Sequence, residues 1–156
     1  RKHATGGGKG VTWLKTVVLK NLGLGEAGKR TVGNGQNQLP DMSLFGAYLN
    51  SNGYQYLPSG LIIQWGKIRI EYSSPHTAYT VAGGSVNRFS GTGTFPVTFP
   101  NAVLAILGTS NDVANAHISS VYASSAQGFQ WSHHSTQPYL ASAGGGNGFT
   151  WFAFGY

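Results

Sequence analysis

The sequence predicts an all-β fold, an antiparallel β-sandwich. Its 156 residues include 24 Gly, 4 Trp, 8 Tyr and 8 Phe but only 4 acidic residues. That balance suits short strands and tight turns better than helices, which draw on Ala, Glu, Lys and Leu. Apolar and β-branched residues gather in short runs bounded by Gly or Pro. No stretch carries the long amphipathic period of a helix. The length suggests one core-bearing domain with a short appendage.

Along the chain, residues 1–9 read as a Gly-rich lead-in. Residues 10–56 contain too few large apolar side chains to bury a core of their own, so neighbouring chains would have to cover them. Within them, 26–32 reads as one helical turn. The sandwich itself is expected over 57–156. Its first strand, 61–71, is apolar at Leu61, Ile62, Ile63 and Trp65, then alternates from Lys67 to Glu71. That change of face predicts a bulge or bend at Gly66. Shorter strands follow at 79–82 and 85–89. The run 95–99 alternates, and 103–107 is continuously apolar, as in a strand buried on both faces. A polar loop at 109–116 leads to a strand at 117–123, a tight connection at 124–128 and a strand at 129–132. After a second polar loop at 135–147 comes the terminal strand. Phe152, Phe154 and Tyr156 share one of its faces, Phe149 and Trp151 the other. One face would pack inside the domain and the other against a neighbour.

Three runs stand in order: Pro58-Ser59-Gly60-Leu61-Ile62-Ile63-Gln64-Trp65-Gly66, the pair Phe95-Pro96 and Phe99-Pro100, and the ending Gly148-Phe149-Thr150-Trp151 to Gly155-Tyr156. Together they resemble the C-terminal tip domain of tail fibres of contractile-tailed bacteriophages, Mu-like phages among them, and of R-type tailocins. The runs Asn21-Leu22-Gly23-Leu24-Gly25-Glu26-Ala27-Gly28-Lys29-Arg30 and Gln38-Leu39-Pro40-Asp41-Met42 resemble the distal shaft or collar of the same fibres. The resemblance implies a homotrimer, with a short shaft segment before a receptor-binding β-sandwich tip. It implies a place on the virion, at the distal tip of the fibre, or on an extracellular tailocin particle. It also admits a fibre-assembly chaperone as a partner.

The net charge of +6 sits almost wholly in the first thirty residues. Arg1, Lys2, Lys9, Lys15, Lys20, Lys29 and Arg30 face only Glu26 there. From residue 31 onward, Lys67, Arg69 and Arg88 are balanced by Asp41, Glu71 and Asp112. A nucleic-acid binder would place its basic residues on the folded domain, so that class is set aside. The lack of Cys removes disulfides and thiolate metal sites. No run of about 18 apolar residues encodes a membrane insertion, and the first residues do not read as a signal peptide.

Catalysis has little to work with. Glycoside hydrolysis needs two carboxylates, and Glu71 with Asp112 is the one pair within the expected sandwich, with no local motif joining them. No Ser lies in a Gly-x-Ser-x-Gly elbow. Adjacent His133 and His134 point to opposite faces of a strand, so they cannot share an ion without a kink; no metal or other cofactor is expected. Carbohydrate binding fits the composition best. Planar amides (Asn111, Asn115, Gln127, Gln130, Gln137, Asn147) stand among aromatics (Tyr72, Tyr79, Trp131, Tyr139) that can cover the apolar side of a sugar ring. Trp131 shares its parity with Phe129, which also suits core packing. If the last four strands form a meander, the loops 109–116 and 135–147 share one end. That end would collect Asn111, Asp112, Asn115, His117, His133, His134, Gln137 and Tyr139. The expected function is binding of a bacterial surface glycan such as lipopolysaccharide. The rival readings are a structural fibre segment or protein-receptor binder, and a polysaccharide-degrading enzyme.

Overall fold

The computed structural model describes residues 17–18, 22–23, 25–112, 117–136 and 146–156. The chain divides into two compact units, Arg1–Leu44 and Phe45–Tyr156. In the first unit a single 3-10 turn spans Glu26–Lys29, closed by an ion pair between Lys29 Nζ and Glu26 Oε1 at 2.9 Å. An isolated parallel bridge joins Val32 to Leu39. None of its described residues is buried, as the scarcity of large apolar side chains predicts.

The second unit is all-β. Its nine strands among the described residues are β1 (Ala47–Tyr48), β2 (Gly53–Tyr56), β3 (Ile62–Glu71), β4 (Thr77–Val81), β5 (Gly84–Thr94), β6 (Val103–Ser110), β7 (His117–Ala123), β8 (Gly128–Ser135) and β9 (Gly146–Gly155). They form a five-stranded sheet in the order β1-β2-β3-β9-β6 and a four-stranded sheet in the order β4-β5-β8-β7. Every pairing is antiparallel. The unit begins at Phe45 rather than at Leu57, because β1 and β2 extend the sheet beyond β3. The β4–β5 hairpin turns through Ala82 and Gly83, both at positive φ (48° and 82°), the left-handed pair that a two-residue hairpin demands.

The core is aromatic and draws on both sheets: Ile62, Ile70, Phe149, Trp151 and Ala153 meet Phe89 and Phe129. In β9 the alternation reads as expected, with Phe149, Trp151 and Ala153 inward and Phe152 and Phe154 outward. No bulge occurs at Gly66. The register of β3 against β9 runs unbroken from Ile62 to Glu71, and Ile62, Gln64, Gly66, Ile68 and Ile70 all face inward. The apparent change of face came from Gln64, a polar residue on the inner side. It is fully buried, and its amide pairs with one backbone unit: Nε2 donates to Val97 O at 2.8 Å while Val97 N–H donates to Oε1 at 2.9 Å. Gly66 is small because a Cβ there would fall 2.6 Å from the Trp151 ring.

Two further expectations are corrected. The run 95–99 is not a strand; Pro96 and Pro100 cannot donate to a ladder. It crosses the core instead, burying Phe95 and Phe99, with their N–H groups donating to Gln127 O and Ala126 O. The apolar run at 103–107 is not buried on both sides. As β6 it is an edge strand, with Leu104 60% and Leu107 56% exposed.

Candidate functional site

The last four strands do not form one meander. β6 pairs with β9 in one sheet and β7 with β8 in the other. The two loops nevertheless leave from a common end. Ser110, closing β6, lies opposite Phe149 near the start of β9, and His117, opening β7, lies opposite Ser135, closing β8. The 124–127 turn is at the other end. Asn115, Gln137 and Tyr139 lie outside the described residues.

A concavity of about 490 Å³ opens at this end. Its walls are Lys67, Ile68 and Arg69 of β3, Tyr72 just beyond it, Asn111 and Asp112 after β6, and Gly146, Asn147 and Gly148 of β9. The long β3–β9 pairing supplies most of this groove. Gly148 is required by that pairing, since a Cβ would sit 1.9 Å from Ile68 O. Asn111 is held from both sides: its N–H donates to Gly148 O at 3.1 Å, and Thr150 Oγ1 donates to its Oδ1 at 2.7 Å. Arg69 is paired with Glu71, whereas Lys67 makes no ion pair among the described residues.

Behind the groove lies a polar interior. Asp112 Oδ2 is 3.0 Å from His117 Nε2 and accepts from Asn147 Nδ2 at 3.2 Å. The same Asn147 nitrogen is 2.6 Å from His117 Nε2. That imidazole nitrogen therefore either donates to the carboxylate or accepts from the amide, according to its tautomer. The His117 ring stacks on His133 at 5.1 Å, and His133 in turn stacks on Phe149 at 6.2 Å. Ser119 Oγ meets His133 Nδ1 at 2.8 Å. Neither His117 Nδ1 nor His133 Nε2 has a hydrogen-bond partner among the described residues.

Burial, then the neighbouring His117 and His134, push the His133 pKa down to about 4. The fold thus favours its neutral form. The resulting stability is fully present above the ordinary value near 6.5 and is lost as pH falls from there through 4. At about 1.4 kcal/mol per pKa unit, the loss should reach about 3 kcal/mol. Urea midpoints measured from pH 7.5 to 4 should fall in native protein and fall much less in His133→Phe. Equal slopes for the two would contradict this assignment.

The site expected from sequence is thus only partly assembled. Asn111, Asp112 and His117 come together, with His117 behind the other two. His133 is interior rather than on the rim, because it shares parity with Phe129 and Trp131 on the inner face of β8. Trp131 packs into the core, edge-on to Phe149 at 5.6 Å. His134 lies on the outer face of the four-stranded sheet, where its Nδ1 is 2.6 Å from Tyr79 Oη. Burial first, and then Arg88, lower its pKa. Tyr72 and Asn147 stood among the aromatics and amides suited to a sugar but were not expected at the loop end, and Lys67 and Arg69 were not among the expected site residues at all. Only the pairing of β3 with a strand far along the chain sets them beside Asn111. Among the described residues no three His, Asp or Glu side chains gather as a metal would require.

The family model for the C-terminal region of gp53-like tail fibre proteins matches residues 56–156. The chain belongs to this family. The matched region of this tail-fibre domain takes in all of β3 to β9 and the whole of the groove. Among solved structures, it is similar to a Pseudomonas aeruginosa R1 pyocin fibre comprising C-terminal residues 323–701, at 24% identity and a TM-score of 0.50. That match covers 71% of this chain and 28% of the pyocin chain, so the similarity spans under a third of that solved chain. An N-truncated R1-type pyocin tail fibre is 20% identical with a TM-score of 0.49, covering 90% of this chain and 95% of the other. No curated protein matches in sequence.

Proposed function

We propose that this tail-fibre domain is a receptor-binding tip that holds a bacterial surface glycan, of the lipopolysaccharide type, in the groove beside Asn111. The groove carries the reading. It sets the planar amides of Asn111 and Asn147, the ammonium of Lys67 and the Tyr72 ring around one concavity. Amides and cations suit sugar hydroxyls and acidic substituents, and a ring suits the apolar face of a pyranose. Rigid strands hold the loop residues in place. The function is binding rather than cleavage. Among the described residues Asp112 is the one carboxylate lining the groove, where glycoside hydrolysis needs two, and it is engaged by His117 and Asn147.

The domain acts as a homotrimer at the distal end of its fibre. Support comes from the outer face of the five-stranded sheet, where Leu107 lies beside Phe152 and Phe152 beside Trp65. Three grooves on one tip turn weak single contacts into useful avidity.

Asn111→Ala is expected to lower binding on a lipopolysaccharide glycan array at least tenfold. Gln127→Ala, in the turn at the opposite end, should bind as native protein does. Both residues are exposed, so stability should shift by less than about 0.5 kcal/mol. Normal binding by Asn111→Ala with loss in Gln127→Ala would place the receptor at the wrong end and refute the reading.

A further inference from the structure

The outer face of the four-stranded sheet has a chemistry of its own. The register sets Arg88 beside His134 and Ser90 beside Ser132 across β5 and β8. It sets Ser120 beside Ser132 and Tyr122 beside Gln130 across β7 and β8. A depression of about 210 Å³ opens there, lined by Arg88, Ser120, Tyr122, Gln130 and Ser132, with Val121 and Trp131 beneath. The Tyr122 ring stands in solvent, 70% exposed. Arg88 is exposed and makes no ion pair among the described residues. None of β4, β5, β7 or β8 contains an Asp or Glu. A positive guanidinium therefore stands on this face with no acid within its sheet to answer it.

We propose that this face is a second saccharide site, distinct from the groove at the loop end, which takes a sugar residue bearing a negative group. The sugar ring lies against Tyr122, its carboxylate or phosphate meets the fork of Arg88, and Gln130, Ser120 and Ser132 serve its hydroxyls. A guanidinium binds such planar or tetrahedral anions through two parallel N–H donors. Small serine side chains keep the depression open between the Tyr122 ring and the Arg88 charge. A second copy of the chain is the poorer occupant, because covering Arg88 with protein would bury an unpaired charge. The inference rests on the reading of the domain as a glycan binder, but it uses none of the loop-end residues.

The test titrates the full chain with two matched pairs of probes. One pair is oligogalacturonate and its methyl ester, which share rings and differ in charge. The other is an oligosaccharide ending in mannose 6-phosphate and its unphosphorylated form. The acidic member of at least one pair should bind at least tenfold more tightly than its neutral partner, and the pair that responds identifies the acid. Added salt should narrow the difference. Arg88→Gln should abolish it, Tyr122→Ala should weaken both members, and Asn111→Ala should leave it intact. Equal binding of acidic and neutral probes, or no binding of either acid, overturns the proposal. So does native affinity in Arg88→Gln. A change of oligomeric state in Tyr122→Ala would assign the face to a second copy instead. Loss in Asn111→Ala alone would return the acidic sugar to the loop-end groove and refute the second site while sparing the first.

Discussion

Replacing Gln64 with leucine is expected to destabilise the domain, although leucine is the residue a buried strand position would ordinarily hold. The swap nearly conserves volume and removes a polar group from the core, both of which favour it. Against them stand the N–H and C=O of Val97, each of which loses its hydrogen bond to the Gln64 amide. A buried backbone group left unsatisfied costs about 1–3 kcal/mol, so the pair should cost about 2–6 kcal/mol less whatever the added apolar contact returns. Gln64→Glu should fare worse, since a carboxylate cannot donate to Val97 O and its charge would be buried. Chemical denaturation of the two variants beside native protein decides it. A leucine variant as stable as the native protein would mean that the 95–99 segment moves to rehydrate Val97, and that the amide does not pin it.

The second large effect concerns assembly. Leu107 and Phe152 are neighbours across β6 and β9, 56% and 38% exposed. Their side chains point away from the core, so they contribute little to the fold of one chain. A double change, Leu107→Glu with Phe152→Glu, should convert the proposed trimer into folded monomers. Each large apolar side chain contributes about 1.5–3 kcal/mol when fully buried. Three symmetric contacts would therefore forfeit much of the association energy and gain charge repulsion besides. Sedimentation would report the change while circular dichroism reports intact β-structure. A double variant that remains trimeric would move the contact to another surface.

The sandwich was legible because its signals are local. Parity in β9 sorted Phe149 and Trp151 from Phe152 and Phe154, and Gly-rich turns marked most of the strand ends. The same parity carried the fate of His133. It stands two positions from Trp131 and four from Phe129 on one strand, and so had to share their interior side. Histidine at a loop-facing strand end reads as surface when composition is weighed ahead of register. Gln64 misled in the opposite direction, because a single polar residue on the inner face looked like a break in the strand. What no local reading supplied was partnership. The groove exists because β3 lies along β9, and that brings Lys67 and Tyr72 to Asn147 and Asn111 from distant parts of the sequence. The division of the last four strands between two sheets was invisible for the same reason. Alternating strand direction still delivered the two loops to one end.

β9 lies between β3 and β6 and pairs with both. During synthesis, β3 emerges long before the strand that completes it. Until residues 146–155 are available, β3 and β6 each present a bare, apolar ladder edge with nothing native to pair. Such non-local closure makes folding slow. An open edge of this kind is also a template for pairing with other chains. Any fragment ending before Gly146 should therefore aggregate rather than persist as a smaller domain. The strand that completes the sheet thus ties the folding of the whole sandwich to its last residues, and prematurely terminated chains should not reach the folded state.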